Sequence, residues 1–280
     1  MKAGPSDLTT VVQEIKATHA YPNPSRTWET TLKVSLIAPA FNEEDGIVDF
    51  LHDAMGVLNT LGLEYEVLVV DDGSTDRTRE RAMSVAGNPH IRVVGYSQNQ
   101  GKGWAARYGM RHVQGDIAIF MDSDNEVSAE NLRHYVKALQ DADIAIASKR
   151  HPDSIVSTPI LRRFLSYAFN MLVQLTTGVR SSDTQAGLKA MRVDKMRQIL
   201  PLLSVKRYAF DVEVLTVASL LKMKVVELPV AIRLGALFSV RHIMRIFVDL
   251  MGIAYRLRVK RWYQANLHNS QAEYRPLIRW

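Results

Sequence analysis

Asp116-Ile117-Ala118-Ile119-Phe120-Met121-Asp122-Ser123-Asp124-Asn125-Glu126 sets a short apolar run between acidic residues. Such a run predicts a buried strand, with Asp122 and Asp124 one residue apart at its carboxyl end. Residues i and i+2 of a strand point the same way, so the two carboxylates converge on one hard cation, with Glu126 available as a third ligand. Mg²⁺ or Mn²⁺ held by so few carboxylates completes its shell with water and substrate phosphates, and a metal-bridged diphosphate is the first expectation for this edge. A solvated Asp-rich turn capping the next helix explains the same spacing, and spacing alone does not separate the two.

Upstream, residues 34–40 read as a buried strand, and Phe41-Asn42-Glu43-Glu44 opens an amphipathic helix running to about residue 61. A second strand, 65–70, ends in Asp71-Asp72-Gly73-Ser74-Thr75-Asp76. A third, 91–96, is followed by Asn99-Gln100-Gly101-Lys102-Gly103 and a helix containing Arg107 and Arg111. The strand through Phe120 is fourth, and 142–148 is a fifth. Strand, polar turn and helix in repetition is the βα unit of a parallel sheet. Capping explains Asn42, Glu43, Asp71 and Asp72 one at a time. Yet the first, second and fourth strands all end in carboxylates or amides, and parallel topology gathers those ends on one edge.

Downstream, 161–177 is an apolar segment at helical spacing with Arg162 and Arg163 at its start, the pattern of a core helix. Asp183-Thr184-Gln185-Ala186-Gly187-Leu188-Lys189 leads into a short strand, followed by a helix over 211–221 and an apolar strand over 224–232. Residues 240–262 mix Ile, Leu, Phe and Met with Arg241, Arg245, Arg256, Arg258, Lys260 and Arg261 against the single acid Asp249. With Tyr255, Trp262 and Tyr263 at its end, this is the pattern of a basic helix lying in a membrane interface. Beyond residue 265 a weakly ordered tail is expected. The chain thus divides into an extension (1–30, with a short helix over 8–18), an α/β domain (31–236) and an amphipathic membrane-associating region with tail (237–280).

A length of 280 residues, 47% of them hydrophobic, supports a substantial core, and a net charge of +6 suits anionic partners. The absence of cysteine excludes disulfides, thiolate metal sites and cysteine nucleophiles. The first residues lack the apolar core of a signal peptide, and no window offers the ~20 apolar residues of a spanning helix, so a peripheral position on the cytoplasmic face of a membrane is expected. Gly101-Lys102-Gly103 lacks the spacing of a nucleoside-triphosphate loop, and neither a dinucleotide fingerprint nor a His-Glu-x-x-His or Gly-x-Ser-x-Gly motif occurs. Lys149 and Arg150, just past the fifth strand, read either as surface charge or as phosphate partners, and Asp183, Gln185 and Lys189 share that status. Cations interleaved with Ile, Leu and Met favour lipid over nucleic acid.

The ordered set Ile-Ala-Pro-Ala-Phe-Asn-Glu-Glu (37–44), Val-Val-Asp-Asp-Gly-Ser-Thr-Asp (69–76), Asn-Gln-Gly-Lys-Gly (99–103), Met-Asp-Ser-Asp (121–124), Ala-Ser-Lys-Arg-His-Pro-Asp-Ser (147–154), Asp-Thr-Gln-Ala-Gly-Leu-Lys (183–189) and Tyr-Ala-Phe-Asp-Val-Glu (208–213) resembles the family 2 glycosyltransferases of GT-A fold. Within them it resembles the polyprenyl (dolichyl) phosphate hexose synthases, and its last two motifs look like those of the dolichyl-phosphate β-glucosyltransferases. The resemblance implies a Rossmann-like, mostly parallel sheet flanked by helices, with C-terminal amphipathic helices at the membrane; the 161–177 and 240–262 helices would then lie on the bilayer beside the acceptor. It implies inverting transfer of a hexose, glucose from UDP-glucose, to a polyprenyl phosphate. Pro39, Asn42, Glu43 and Asp72 then hold the nucleoside, Lys102 joins the donor site, and Asp122 and Asp124 carry the Mg²⁺ or Mn²⁺ diphosphate with Glu126. Lys149, Arg150, Lys189, Arg233 and Arg241 are the candidates for the acceptor phosphate, and Asp183 and Asp211 for orienting sugar or acceptor. The family's Gly-Ser-Lys turn is replaced by Gly235-Ala-Leu-Phe-Ser239-Val-Arg241, which leaves the choice between Arg233 and Arg241 open. The competing readings are a GDP-mannose-dependent synthase and, from another class, a non-catalytic membrane-docking module. Self-association is left open.

Overall fold

The structure, a computed structural model, describes residues 32–124, 127, 129, 132–185, 187–233 and 240–270. The expected helix over 8–18, the carboxylate of Glu126 and the tail from 271 lie outside the described residues, as do the side chains of Arg233 and Arg241.

Strand β1 (Lys33–Ala40) is buried on both faces, since Val34, Leu36, Ile37 and Ala38 are all 0% exposed. It pairs in parallel with β2 (Glu64–Asp72), and β2 with β3 (Ile91–Tyr96). On its other side β1 pairs in parallel with β4 (Ile117–Phe120). Helix α1 (Ile47–Asn59) covers one face through Ile47, Phe50, Leu51, Ala54, Met55 and Leu58, an i, i+3, i+4 stripe. Helices α2 (Thr78–Val85) and α3 (Lys102–Met110) complete the βα repeats. The chain order therefore reverses between β1 and β4, and in open α/β sheets the carboxyl ends at such a reversal are where ligands bind.

The second half departs from simple repetition. After α4 (Leu132–Ala138), β5 (Ile144–Ala147) does not join β4 directly. A three-residue strand β6 (Ile155–Ser157) and a long helix α5 (Ile160–Thr177) intervene, and β7 (Lys189–Arg192) inserts antiparallel between β4 and β5. That direction brings the start of β7 to the edge where β4 ends, with Phe120 opposite Lys189. Helices α6 (Val193–Ile199) and α7 (Phe210–Leu220) follow. The apolar run expected as one strand over 224–232 is two. β8 (Val225–Leu228) closes the main sheet and β9 (Ala231–Arg233) pairs with β6, because Pro229 between them offers no N–H to either ladder.

Three other expectations are corrected. The strand holding the quoted acids ends at Phe120, so Asp122 and Asp124 stand in the turn beyond it and strand alternation does not orient them. The helix after Asn42-Glu43 starts only at Ile47 behind Gly46, so neither residue caps it. At the C-terminus, α8 (Val240–Ala254), a π turn (Tyr255–Val259) and α9 (Trp262–Ser270) carry regular structure past residue 265, and Tyr263, expected at a lipid interface, is 0% exposed.

Candidate active site

The turns after β1 and β2 are stitched to one another. Asn42 adopts φ 56°, its N–H donates to Ser74 Oγ (3.1 Å), and its Oδ1 accepts from the Thr75 N–H (2.9 Å). The Glu43 N–H donates to Thr78 Oγ1 at 2.7 Å. Asp72, buried at the end of β2, accepts from Tyr96 Oη (2.7 Å), Asn99 Nδ2 (3.0 Å) and the N–H groups of Gln100 (2.8 Å) and Gly101 (2.9 Å). It therefore shapes the 99–101 turn. Tyr96 was not singled out from sequence, and Asn99 was read only as part of the 99–103 motif, because only the folded register sets them against Asp72.

That turn delivers Lys102, whose Nζ lies 2.7 Å from Asp122 Oδ2. Burial acts to lower the Lys102 pKa, but the carboxylates of Asp122, Asp211 and Asp124 outweigh it and hold the ammonium well above its ordinary value. The Ser123 hydroxyl donates to the Pro39 carbonyl at 2.9 Å, fixing the acidic turn to the end of β1. Gly187 packs so closely on the Asp122 carboxylate that a Cβ would overlap it. Glu43 faces the same acids; burial first, then Asp124, Asp76 and Asp122, push its carboxyl above the usual range.

Two more ammonium–carboxylate pairs line the edge. Lys149 Nζ lies 2.9 Å from Asp183 Oδ2, which also accepts the Lys149 N–H at 3.0 Å. Asp183 is buried, which opposes its charge, yet Lys149 holds its carboxyl below the ordinary value. Lys189 Nζ lies 3.0 Å from Asp211 Oδ1, both buried, linking β7 to α7. Arg150 donates from Nη2 to the Ser166 carbonyl (3.1 Å) and stacks over the Tyr167 ring (5.0 Å), bracing the 148–150 turn against α5. The edge thus gathers Pro39, Asn42, Glu43, Asp72, Lys102, Asp122, Lys149, Asp183, Lys189 and Asp211.

Among the described residues no three metal-ligating side chains converge at coordination distance. Asp122 with Asp124 is nonetheless a hard, anionic oxygen set of the kind that holds Mg²⁺ or Mn²⁺ when substrate phosphates supply further oxygens.

Residues 35–200 match the family model described as glycosyl transferase family 2. The chain belongs to that family. It is a glycosyltransferase, similar to dolichyl-phosphate β-glucosyltransferases: 33% identical to that of Drosophila melanogaster, over 74% of this chain and 69% of the fly protein. Against the Saccharomyces cerevisiae enzyme identity is 29% over 71% of this chain, and the match spans 66% of that protein's length. An undecaprenyl-phosphate 4-deoxy-4-formamido-L-arabinose transferase of Edwardsiella ictaluri is 30% identical over 62% of this chain and 53% of its own. In fold, the chain superposes on glucosyl-3-phosphoglycerate synthase from Mycobacterium tuberculosis in complex with Mn²⁺, UDP and glucosyl-3-phosphoglycerate, with a TM-score of 0.64 at 17% identity, covering 84% of this chain and 85% of that one. The GT-A-like, mostly parallel sheet expected from sequence is the observed architecture.

Proposed function

We propose that this family 2 glycosyltransferase moves glucose from UDP-glucose to a polyprenyl phosphate of the dolichyl type, inverting the anomeric centre, at the cytoplasmic face of a membrane. The observation that carries the reading is one sheet edge with an acidic turn at one end and, at the other, two lysines paired with buried carboxylates beside Arg150, which rests on the apolar helix α5. Relatives that differ in sugar share a polyprenyl phosphate in their names, which supports the acceptor class.

Asp122 and Asp124 would hold a divalent cation, which when bound supplies Lewis-acid neutralisation of the leaving diphosphate. Lys102, already at Asp122, adds positive charge beside the same diphosphate. The acceptor phosphate is anionic at neutral pH, so it needs positioning more than deprotonation. Lys149 and Lys189 reduce the repulsion between two phosphate-bearing substrates, while Asp183 and Asp211 hold those ammonium groups in place.

The acceptor's hydrocarbon has a path beside Arg150. On α5, Ile160, Leu161, Phe164, Tyr167, Met171 and Leu175 are exposed, and α8, packed beside it, exposes Met244, Phe247 and Val248. No described helix is long and apolar enough to cross a membrane, and these faces suit lying on one.

Thermal melts with UDP or GDP, each with and without Mn²⁺, test the donor, since a ligand of the native state raises Tm. A Mn²⁺-dependent shift selective for UDP and lost in Asp124→Ala is expected, followed by glucosyl transfer to a polyprenyl phosphate in detergent. A GDP-selective shift would move the protein to mannosyl transfer, and no shift with either nucleotide would overturn the reading.

A further inference from the structure

Glu213 is fully buried on α7, two residues beyond Asp211, and the chemistry above does not use it. Its Oε1 accepts from Tyr263 Oη at 2.6 Å and from Ser204 Oγ at 2.7 Å. Its Oε2 accepts the N–H groups of Ser204 and Val205, both at 2.8 Å. Arg256 reaches the same carboxylate at 3.4 Å and donates from Nε to Tyr263 Oη at 3.2 Å. Burial, then the Glu213 charge, raises the Tyr263 pKa, so the phenol stays a donor. A buried carboxylate survives only when fully partnered, and the partners here come from two directions: the C-terminal segment and the 204–205 loop.

That loop is the seat of the Lys102 turn. A Cβ on Gly101 would lie 2.8 Å from the Lys206 carbonyl, and one on Gly103 would lie 2.7 Å from the Arg207 carbonyl and 2.9 Å from that of Val205. The Trp104 N–H donates to the Lys206 carbonyl at 2.9 Å, and the Lys206 ammonium stands 5.2 Å from the Trp104 ring centroid. Asp72 holds the turn from β2, and the 205–207 backbone holds it from the opposite side.

We propose that Glu213, clamped by Tyr263 and Arg256, is a positioning residue for Lys102: the C-terminal helices close on it and, through the 204–207 loop, fix the turn that presents this ammonium to the acidic site. The C-terminal region then sets the donor end of the active site as well as covering the core. The effect on nucleotide binding rests on the donor reading above; the effect on the turn does not.

Tyr263→Phe removes one hydroxyl at nearly constant volume, and Glu213→Gln removes the charge. Hydrogen exchange of the ligand-free protein is expected to accelerate about 2- to 30-fold over residues 99–105 and 203–207 in Tyr263→Phe, with β1 and β2 unchanged. UDP affinity in Mn²⁺ should fall by a similar factor, and that loss should disappear in a Lys102→Met background, because a residue acting through Lys102 has nothing left to position. Unaltered exchange over 99–105 in folded Tyr263→Phe overturns the proposal, as does a UDP penalty that persists without Lys102. Should Glu213→Gln fail to fold, Tyr263→Phe carries the test alone. If the exchange responds and the wild type binds no UDP, the donor reading falls and the positioning role stands.

Discussion

At the scale of single residues, burial and the neighbouring acids make Glu43 a poor acid. Glu43 is raised by burial and by Asp124, Asp76 and Asp122, so the native state holds its proton more tightly than the unfolded chain does. Stability then falls as pH rises from the ordinary carboxylate value through the raised native one, and below both values the effect vanishes. Glu43→Gln is expected to raise Tm at neutral pH and leave it unchanged in acid, as a pair of melting series would record; an equal effect at both pH values would sink the assignment. Gly187 is a packing requirement on the same site. Gly187→Ala should push the Asp122 carboxylate aside and lower kcat/KM by about a hundredfold, the scale of an ångström-sized misplacement, with Tm little changed.

Elements decide which of these residues can meet, and here the antiparallel β7 matters most. It sets Lys189 opposite Phe120 and against Asp211 of α7, a pair buried on both sides. Lys189→Met leaves that carboxylate buried without its ammonium and should cost about 3–5 kcal/mol in denaturant unfolding. Adding Asp211→Leu should restore most of the stability and none of the activity. The co-location of three strand ends was legible in the sequence because each βα repeat announces its own turn. The direction of β7 was not, since Lys-Ala-Met-Arg carries no mark of its neighbours. Nor could composition separate Tyr263 from Tyr255: both flank basic residues, yet one is buried on Glu213, fifty positions earlier, and the other is 49% exposed. Apolar spacing on α5 fits a core helix as well as one lying on a bilayer, and only the fold shows Ile160, Phe164 and Leu175 outside.

For the whole molecule, the buried side of the C-terminal region changes what a truncation would report. Leu250, Ile253, Leu257 and Tyr263 belong to the core, so deleting residues 240–280 would damage the fold as well as any membrane contact. Point changes on the exposed face are the cleaner probe. Phe164 is 67% exposed on α5 and Val248 64% exposed on α8, and the cations Arg163, Arg245 and Lys260 are exposed on the same two helices and the turn that follows them. Apolar insertion and attraction to anionic headgroups would act together, the second weakening as salt rises. Replacing Phe164 and Val248 by Ser removes about 2 to 4 kcal/mol of insertion energy in total, so vesicle affinity should drop by roughly one to three orders of magnitude. Sedimentation with vesicles containing anionic lipid measures this directly, and Tm should hold because neither side chain is in the core. A double variant that still sediments like the wild type would remove lipid from the account of this face and leave the acceptor's hydrocarbon without its proposed path.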